Sequence, residues 1–458
     1  MVKERARILV VGGGYVGMYT ALRLQRELKQ ELRRGDAEIT VVTPDPYMTY
    51  QPFLPEAAAG SISPRHVVVP LRRVLDQCHV VVGEVTSIDH AVRTAAVTTL
   101  ATAEEGRTEL LGYDELVLAP GSVSRTLPIP GLAEYGIGFK TVEEAIGLRN
   151  HVLEQMDIAS STRDPSLRDA ALTFVFVGGG YAGVEALAEL EDMARYAARY
   201  YHNVRPGDMK WILVEASDRI LPEVGEEMGR YTVTQLRRRN IQVLLGTRLE
   251  SCADRVAVLS DGQRFPTRTL VWTAGVKPHP LLAATDLPLT ARGRLKCTAE
   301  LTVDGAPHAW GAGDAASVPD VTAAEPGTET APNAQHALRQ ARVLGGNIAH
   351  ALRGEPLETY AHQYAGSVAS LGLHKGVAQI YGRRLKGYPA WFMHRVYHLS
   401  RVPTFNRKAR VLAEWILAGL FKREIVSLGS LEHPRAEFEL AAGRKPPHSA
   451  SDDPKGSS

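Results

Sequence analysis

The residues ILVVGGGYVGMYTALRL, positions 8–24, combine a short apolar run, a group of glycines and the start of a helical pattern. Ile8–Val11 has the β-branched content of a buried parallel strand. Three glycines follow it in GxGxxG spacing, Gly12, Gly14 and Gly17, before a helical pattern over residues 19–32. Glycines at this spacing let backbone N–H groups approach a pyrophosphate at a helix N-terminus. The stretch therefore predicts a dinucleotide-binding unit.

A second copy of this pattern lies in the middle of the chain. Thr173–Val177 is predicted as a buried strand, and it leads into a helical pattern at 184–200 through Gly178, Gly180 and Gly183. The two copies predict an α/β fold with two Rossmann-like dinucleotide-binding domains. Two such domains most simply bind two dinucleotides, and the usual pair is a flavin and a nicotinamide cofactor.

The residue that ends the second strand of each unit indicates how the adenosine ribose is held, since a carboxylate there accepts ribose hydrogen bonds. In the second unit the strand 211–214 is followed by Glu215, whose charge would repel a 2′-phosphate. NADH is therefore predicted rather than NADPH. In the first unit Thr43 stands where the acid is expected, so either Asp45 or a hydroxyl group holds the ribose.

Composition excludes several classes of protein. The 458 residues are 44% hydrophobic and 23% charged, which is ordinary for a globular chain and allows two or three domains. The net charge of +2 does not fit a dedicated nucleic-acid binder. Three scattered cysteines, with no CxxC pair, disfavour a disulfide framework, a dithiol redox centre and a metal site: Cys78, Cys252 and Cys297.

The N-terminus has no signal-peptide pattern, and the chain has no run of about 18 apolar residues. A cytoplasmic protein is therefore predicted, with membrane contact at the surface only. Between positions 383 and 423 there are ten Lys and Arg and one acidic residue, a local charge of +9, whereas the rest carries −7.

Apolar residues at helical spacing predict two amphipathic helices in this basic segment, separated by Pro403. One predicted face contains Tyr388, Trp391, Phe392, Val396 and Leu399, and the other contains Leu412, Trp415, Ile416 and Leu420. Basic amphipathic helices are typical of membrane surfaces. A helix pair packed on the protein's own core, or a dimer interface, is the alternative.

Six motifs together resemble the flavoproteins with two dinucleotide-binding domains, and more closely the type II NADH:quinone oxidoreductases, which are single-subunit NADH dehydrogenases that do not pump protons. The motifs are YQPFLPEAAAG (50–60), YDELVLAPGS (113–122), GGGYAGVE (178–185), VWTAGV (271–276), GAGDAA (311–316) and AQHALRQ (334–340). The resemblance implies FAD and NADH as cofactors, a membrane quinone as acceptor and a peripheral position on the cytoplasmic face of the cell membrane. A homodimer stays open.

The resemblance also implies roles for single residues. Asp314 of GAGDAA would bind the ribityl chain of FAD, while Gln51 and Pro52 would lie against the isoalloxazine. Gly121 and Gly275 belong to the other cofactor-binding motifs. Glu185 would lie near the nicotinamide and flavin, where it either orients the carboxamide or accepts protons near the quinone.

Quinone binding in the family is attributed to an AQxxxQ segment and to a lysine further along the chain. Gln335 matches the first glutamine and Lys375 matches the lysine. Arg339 stands in place of the second glutamine, and Gln340 would face another side of the helix. An arginine there would select a different quinone head group or another acceptor.

Since Asp314 follows the second glycine motif, the flavin domain must be split. The predicted domains are 1–141 (FAD, first part), 142–296 (NADH), 297–382 (FAD, second part, with quinone-site segments), 383–430 (membrane-docking helices) and 431–458 (a disordered tail). This is a glutathione-reductase-like arrangement. Two other functions stay open: a soluble NADH-dependent flavoprotein reductase with another acceptor, and a flavin-binding redox sensor related to apoptosis-inducing factors. Sulfide oxidation is disfavoured because it needs paired cysteines at the flavin.

Overall fold

The computed structural model describes residues 5–104, 106–362, 366–380, 382–421 and 425–426. Its largest sheet has eight strands and contains the first glycine motif. In spatial order the strands are Thr302–Val303, Ala306–Gly311, Glu115–Leu118, Ala6–Val11, Ala37–Thr43, His79–Asp89, Thr94–Thr99 and Glu109–Gly112. The five strands from Ala306–Gly311 to His79–Asp89 are parallel. Two distant parts of the chain therefore share one sheet.

The second glycine motif belongs to a parallel five-stranded sheet. Its spatial order is Gly136–Ile137, Thr269–Trp272, Thr173–Val177, Lys210–Val214 and Ile241–Leu244. The three central strands are almost wholly buried, as expected of apolar runs covered on both faces. The predicted α/β class with two Rossmann-like units is confirmed. The domain boundaries stay a prediction, although Gly136–Ile137 joins the second sheet ahead of position 142.

Smaller sheets connect and extend these units. Two of them have three strands: Leu249–Ser251, Val256–Leu259 and Arg264–Pro266 form one, and Gly366–Ser370, Gly376–Ile380 and Arg383–Lys386 form the other. The paired strands are Tyr47–Thr49 with Val68–Pro70, Ser122–Ser124 with Val276–Pro278, and Leu295–Lys296 with Ala316–Ser317.

Long helices cover the two main sheets. Tyr15–Glu27 and Tyr181–Ala197 follow the glycine loops, and Ala334–Arg353 packs along the first of them. A Cβ atom on Gly345 would lie 2.7 Å from Arg23 Cβ, so a glycine permits this close approach. The other α-helices before residue 388 are Lys29–Arg34, Leu54–Ala58, Pro64–Val67, Leu71–Val74, Leu100–Glu104, Leu132–Tyr135, Val142–Ser161, Pro165–Ala171 and Glu226–Arg237.

Two helices, Tyr388–Arg401 and Phe405–Leu420, follow the last sheet, as the periodicity predicts. The predicted faces need correction. Phe392 and Ile416 are 56% and 53% exposed, but Trp391 is only 7% exposed, and Trp415 packs edge-on against Phe53. Each helix lies on the protein, so its tryptophan belongs to the inward stripe.

Two sequence predictions lie outside the described residues. They are the disordered tail at 431–458 and the contribution of Lys422 and Arg423 to the basic segment. Among the described residues, none of the helices combines the length and the apolar character that crossing a membrane requires.

Candidate functional site

The glycines of the first motif have three different surroundings. Gly12 has a φ of +104°, and a Cβ atom there would lie 2.3 Å from the Ala119 carbonyl oxygen. A Cβ atom on Gly17 would lie 1.8 Å from the Gly12 carbonyl oxygen, so this glycine lets the helix pack closely. Around Gly14 a Cβ atom would meet no described atom within 4 Å. The first and third glycines are needed for the fold, whereas Gly14 faces open space.

The second motif repeats this geometry. Gly178 has a φ of +119° and closely approaches Thr273, while a Cβ atom on Gly183 would lie 2.0 Å from the Gly178 carbonyl oxygen. Gly180 again faces open space within the described part of the chain. Gly14 and Gly180 are the N-cap residues of their helices. Since glycine has no side chain, neither helix has a side-chain cap at this position. The N–H groups there can approach a pyrophosphate, so both loops fit a dinucleotide.

Thr43 and Glu215 hold equivalent positions in the two units. Val42 pairs with Val11 and Val214 pairs with Val177, and Thr43 and Glu215 are the next residues along the chain. Glu215 Oε2 accepts a 2.6 Å hydrogen bond from the Gly179 N–H group, and Glu215 Oε1 accepts one from the Ser217 N–H group at 2.7 Å. Thr43 is buried below Gly13. Both residues are therefore positioned beside their glycine loops, and Asp45 is exposed two residues further on.

The GAGDAA turn brings Asp314 to the space between the two units. Asp314 Oδ2 accepts a 2.6 Å hydrogen bond from Ser122 Oγ, which also accepts one from Lys140 Nζ at 2.7 Å. Burial lowers the pKa of Lys140, and the nearby carboxylates of Asp314 and Glu144 oppose that shift. Below the turn, buried Gln340 accepts a hydrogen bond from the Gly313 N–H group at 2.8 Å. Gln340 therefore supports the flavin-motif turn.

A cavity of about 410 Å³ lies where the two units meet. Six of the predicted site residues line it: Gln51, Pro52, Glu185, Gly275, Asp314 and Gln335. Arg339 also lines it, together with a group of aromatic residues that includes Tyr50. Gly121, with a φ of +76°, precedes Ser122. Lys375 lies in the turn between Gly366–Ser370 and Gly376–Ile380, outside the set of lining residues.

At one wall of the cavity, the two residues of the predicted quinone segment contact each other. Arg339 Nη1 donates a 3.0 Å hydrogen bond to the Gln335 carbonyl oxygen, and Gln335 Nε2 donates one of 2.8 Å to the Gly366 carbonyl oxygen. Gln335 Oε1 is buried and has no hydrogen-bond partner among the described residues. A buried acceptor without a partner is costly, so this oxygen fits a ligand that donates a hydrogen bond.

Glu185 also lines the cavity and is 6% exposed. Its Oε1 accepts a 2.7 Å hydrogen bond from the Ser370 N–H group and lies 3.2 Å from His394 Nε2. On the same helix as His394, His398 lines the cavity, and its Nδ1 lies 3.2 Å from Tyr50 Oη. His394 thus lies beside an acidic group, and His398 lies beside the aromatic wall.

Several residues near the cavity were missed in the sequence predictions. Ser122 and Lys140 meet Asp314 only through the fold, so no local pattern identifies them. His394 and His398 have a signal that could have found them. They follow Trp391 at spacings of three and seven residues, which places all three on one helical stripe. A search for helical periodicity that considers only apolar residues misses this stripe, because two of its members are histidines.

The three cysteines lie away from the cavity. All are free thiols, and none lines the cavity. Burial is the main cause that raises the pKa of Cys252 to about 11 and the pKa values of Cys78 and Cys297 to about 12. Thiols with such pKa values are protonated at neutral pH and are poor nucleophiles.

Curated relatives and solved structures resemble the chain along most of its length. The type II NADH:quinone oxidoreductase of Staphylococcus aureus is 29% identical over 401 residues, covering 86% of this chain and 95% of the relative. The protein of the same name from Staphylococcus saprophyticus is 28% identical with the same coverage. These relatives confirm the resemblance to that group.

Among solved structures, NDH2 from Plasmodium falciparum in complex with NADH has a TM-score of 0.82 at 17% identity, covering 92% of this chain and all of that chain. The sulfide:quinone oxidoreductase from Aquifex aeolicus has a TM-score of 0.68 at 17% identity, covering 92% of this chain and 96% of that one. Both similarities concern the fold. A family model described as pyridine nucleotide-disulphide oxidoreductase matches residues 6–341. Because this match covers well over half of the chain, the protein belongs to the pyridine nucleotide-disulphide oxidoreductase family.

Proposed function

We propose that the protein is an FAD-dependent NADH:quinone oxidoreductase that does not pump protons. The observation that carries this proposal is the cavity between the two glycine units, which brings Asp314 of the first unit and Glu185 of the second to one space. Relatives named for this activity, similar along nearly their whole length, support the same function.

Each cofactor has its own set of residues in this proposal. FAD is held by the first glycine loop and by the Asp314 turn, with Gln51, Pro52 and Gly121 beside it. NADH is held by the second loop, Glu215 and Gly275. When bound, the flavin supplies hydride acceptance from NADH and two-electron reduction of the quinone. The chain supplies placement and electrostatics, because it holds the reacting groups at one cavity.

The quinone is proposed to enter beside Gln335 and Arg339, with Lys375 as a more distant contributor. Gln335 Oε1, buried without a partner among the described residues, supports an acceptor that becomes a hydroxyl donor on reduction. Arg339 adds a positive charge to the lining, which suits an electron-rich head group.

A peripheral position on the cytoplasmic face of the cell membrane is also part of the proposal. The last two helices carry nine of the twenty exposed large apolar side chains among the described residues, including Phe392, Phe405, Ile416 and Leu420. Exposed apolar side chains concentrated on two neighbouring helices support an interaction surface there. Part of the basic charge is already paired, since Arg384 and Lys386 contact Glu227 and Arg395 contacts Glu56.

The test of the function is NADH oxidation by the purified protein with three acceptors: a soluble quinone analogue, molecular oxygen and ferricyanide. We expect quinone-dependent turnover well above the rate with oxygen. Rapid turnover with ferricyanide but none with any quinone would favour another acceptor. A bound flavin that NADH reduces, but that no acceptor reoxidises, would favour a redox sensor.

A further inference from the structure

Two arginines from different helices line the cavity between the glycine units. Arg339 lies on the helix Ala334–Arg353, and Arg401 is the last residue of Tyr388–Arg401. Arg339 is half-buried, whereas Arg401 is exposed. Two positive charges therefore reach one cavity from separate parts of the chain.

Neither arginine forms an ion pair with a carboxylate in the part of the chain that the structure describes. Arg339 Nη1 donates a 3.0 Å hydrogen bond to the Gln335 carbonyl oxygen, and the Arg401 guanidinium lies over the Tyr397 ring, 5.5 Å from its centroid. A carbonyl oxygen and an aromatic face occupy only part of the donor capacity of a guanidinium, and neither one neutralises its charge. Both side chains therefore have donors and charge left for a ligand.

The carboxylates that line the same cavity have other neighbours. Asp314 Oδ2 accepts a hydrogen bond from Ser122 Oγ, and Glu185 Oε1 accepts one from the Ser370 N–H group. Glu223 also lines the cavity but is exposed, so water screens its charge. Among the described residues, the lining therefore supplies no buried counter-ion for the two arginines.

Tyr19 relates the two helices to one part of the cavity wall, because it lines the cavity as well. Burial raises the pKa of Tyr19 to about 12, and the charges of Arg342 and Arg401 oppose that rise. Arg342 follows Arg339 by three residues, which places both on neighbouring positions of one helix face. Positive charge from both helices therefore acts on the same part of the cavity.

The same cavity is suited to a flat ring. Its lining includes the aromatic side chains of Tyr15, Tyr19, Tyr50 and Tyr397. Sites of this kind combine an apolar, aromatic lining with a few polar groups that fix the orientation of the ligand. A ring that carries an anionic substituent matches both the aromatic lining and the two arginines.

We propose that Arg339 and Arg401 bind an anionic substituent of the electron acceptor, so that the protein prefers quinones with an ionised acidic group on the ring, such as a ring hydroxyl, over neutral quinones. This inference rests on the proposed function and names the class of its acceptor. Charge-assisted hydrogen bonds of this kind are about twice as strong as those between neutral groups. A glutamine at position 339 would offer a hydrogen bond without the charge.

The first test compares two acceptors that differ in charge, a naphthoquinone sulfonate and the neutral methylnaphthoquinone. The ratio of their kcat/KM values in each variant is divided by the wild-type ratio, so that their different reduction potentials cancel. We expect Arg339→Gln to lower the ratio about tenfold and Arg401→Gln, at an exposed side chain, about threefold. Arg339→Lys should keep most of the preference because it keeps the charge. A wild-type ratio in Arg339→Gln would overturn the proposal.

The second test measures binding without turnover. Naphthalene sulfonate has the ring and the charge but accepts no electrons, and calorimetry gives its Kd for the flavin-loaded protein. We expect the Kd to rise about tenfold in Arg339→Gln, and to rise with added salt in the wild-type protein because salt screens the attraction. The same Kd in the wild type and in both glutamine variants would contradict the proposal. A protein that binds the sulfonate through Arg339 but that no quinone reoxidises would refute the proposed function alone.

The matched control is Arg353→Gln. Arg353 lies on the same helix as Arg339 and is paired with Glu31, and it does not line the cavity, so this variant should keep both the ratio and the Kd. The visible spectrum gives the flavin content of each variant. Loss of flavin from Arg339→Gln would assign this arginine to the cofactor and overturn the proposal. If Arg339→Gln fails to fold, Arg401→Gln replaces it, and an unchanged ratio and Kd there would count against the proposal.

Discussion

Thr43 and Glu215 show how one position can carry different chemistry in the two halves of the molecule. Both lie at the end of the second strand of a glycine unit, and both contact the glycine loop beside them. Only Glu215 carries a charge next to a candidate ribose site. Selectivity between NADH and NADPH should therefore depend on this single side chain.

We expect Glu215→Gln to reduce the preference for NADH over NADPH about tenfold, equivalent to about 1.4 kcal/mol. The amide oxygen can still accept the hydrogen bond from Gly179, whereas the amide nitrogen cannot accept the one from Ser217, so one loop contact is lost together with the repulsion of a 2′-phosphate. Values of kcat/KM for both cofactors measure the ratio. Glu226→Gln, a change at an exposed residue paired with Arg230, is the control. An unaltered ratio in Glu215→Gln would remove the role given to this residue.

Sequence reasoning succeeds at residues whose role is local and fails where the fold brings partners together. The spacing of the glycines and the position of Glu215 after a strand are visible in the sequence. The partners of Asp314, Ser122 and Lys140, are not, because they come from separate parts of the chain. For the same reason the proximity of His394 to Glu185 has no sequence signal.

At the scale of elements, each glycine loop and its helix form one unit with two kinds of glycine. Gly180 faces open space, whereas Gly183 is in contact with the Gly178 carbonyl group. The same substitution should therefore affect binding at one position and folding at the other.

We expect Gly180→Ala to leave the free energy of unfolding nearly unchanged and to raise the KM for NADH, because the added methyl group occupies the path to the pyrophosphate. Gly183→Ala should lower the free energy of unfolding by about 1–3 kcal/mol, the usual cost of overpacking. Denaturant unfolding and steady-state kinetics measure the two effects. Equal effects of both substitutions on stability would contradict this division.

The final two helices show what periodicity can and cannot predict. It correctly gives two helices on either side of Pro403. It does not distinguish the inward stripe from the outward one, since Trp391 and Trp415 are as apolar as the exposed Phe392 and Ile416. The inward stripe is defined by polar contacts: Trp415 Nε1 donates a 2.7 Å hydrogen bond to Glu56, and Arg395 also contacts Glu56.

The double substitution Phe392→Ser with Ile416→Ser should weaken binding to vesicles that contain anionic lipid at least tenfold. The reason is that each of these side chains contributes about 1.5–3 kcal/mol to binding when the membrane buries it. Flavin content should be unchanged. Co-sedimentation with vesicles measures the binding, and Leu110→Ser, a change at an exposed leucine outside these helices, is the control. Undiminished binding would mean that another surface contacts the membrane, while loss of dimerisation would identify an interface between copies.

At the scale of the whole molecule, the site depends on two distant segments of the chain that pair within one sheet. Ala306–Gly311 pairs with Glu115–Leu118 and delivers Asp314 to the cavity that the second unit shares. The split arrangement follows from the order of the motifs and is accessible from sequence. The cavity itself depends on how the units pack, which no single motif encodes.

The most direct test of the account is an anaerobic titration of the purified protein followed by its visible spectrum. We predict a bound flavin whose absorbance is bleached by one equivalent of NADH and restored by one equivalent of a quinone analogue. A protein without flavin, or a reduced flavin that quinone does not reoxidise, would contradict the account.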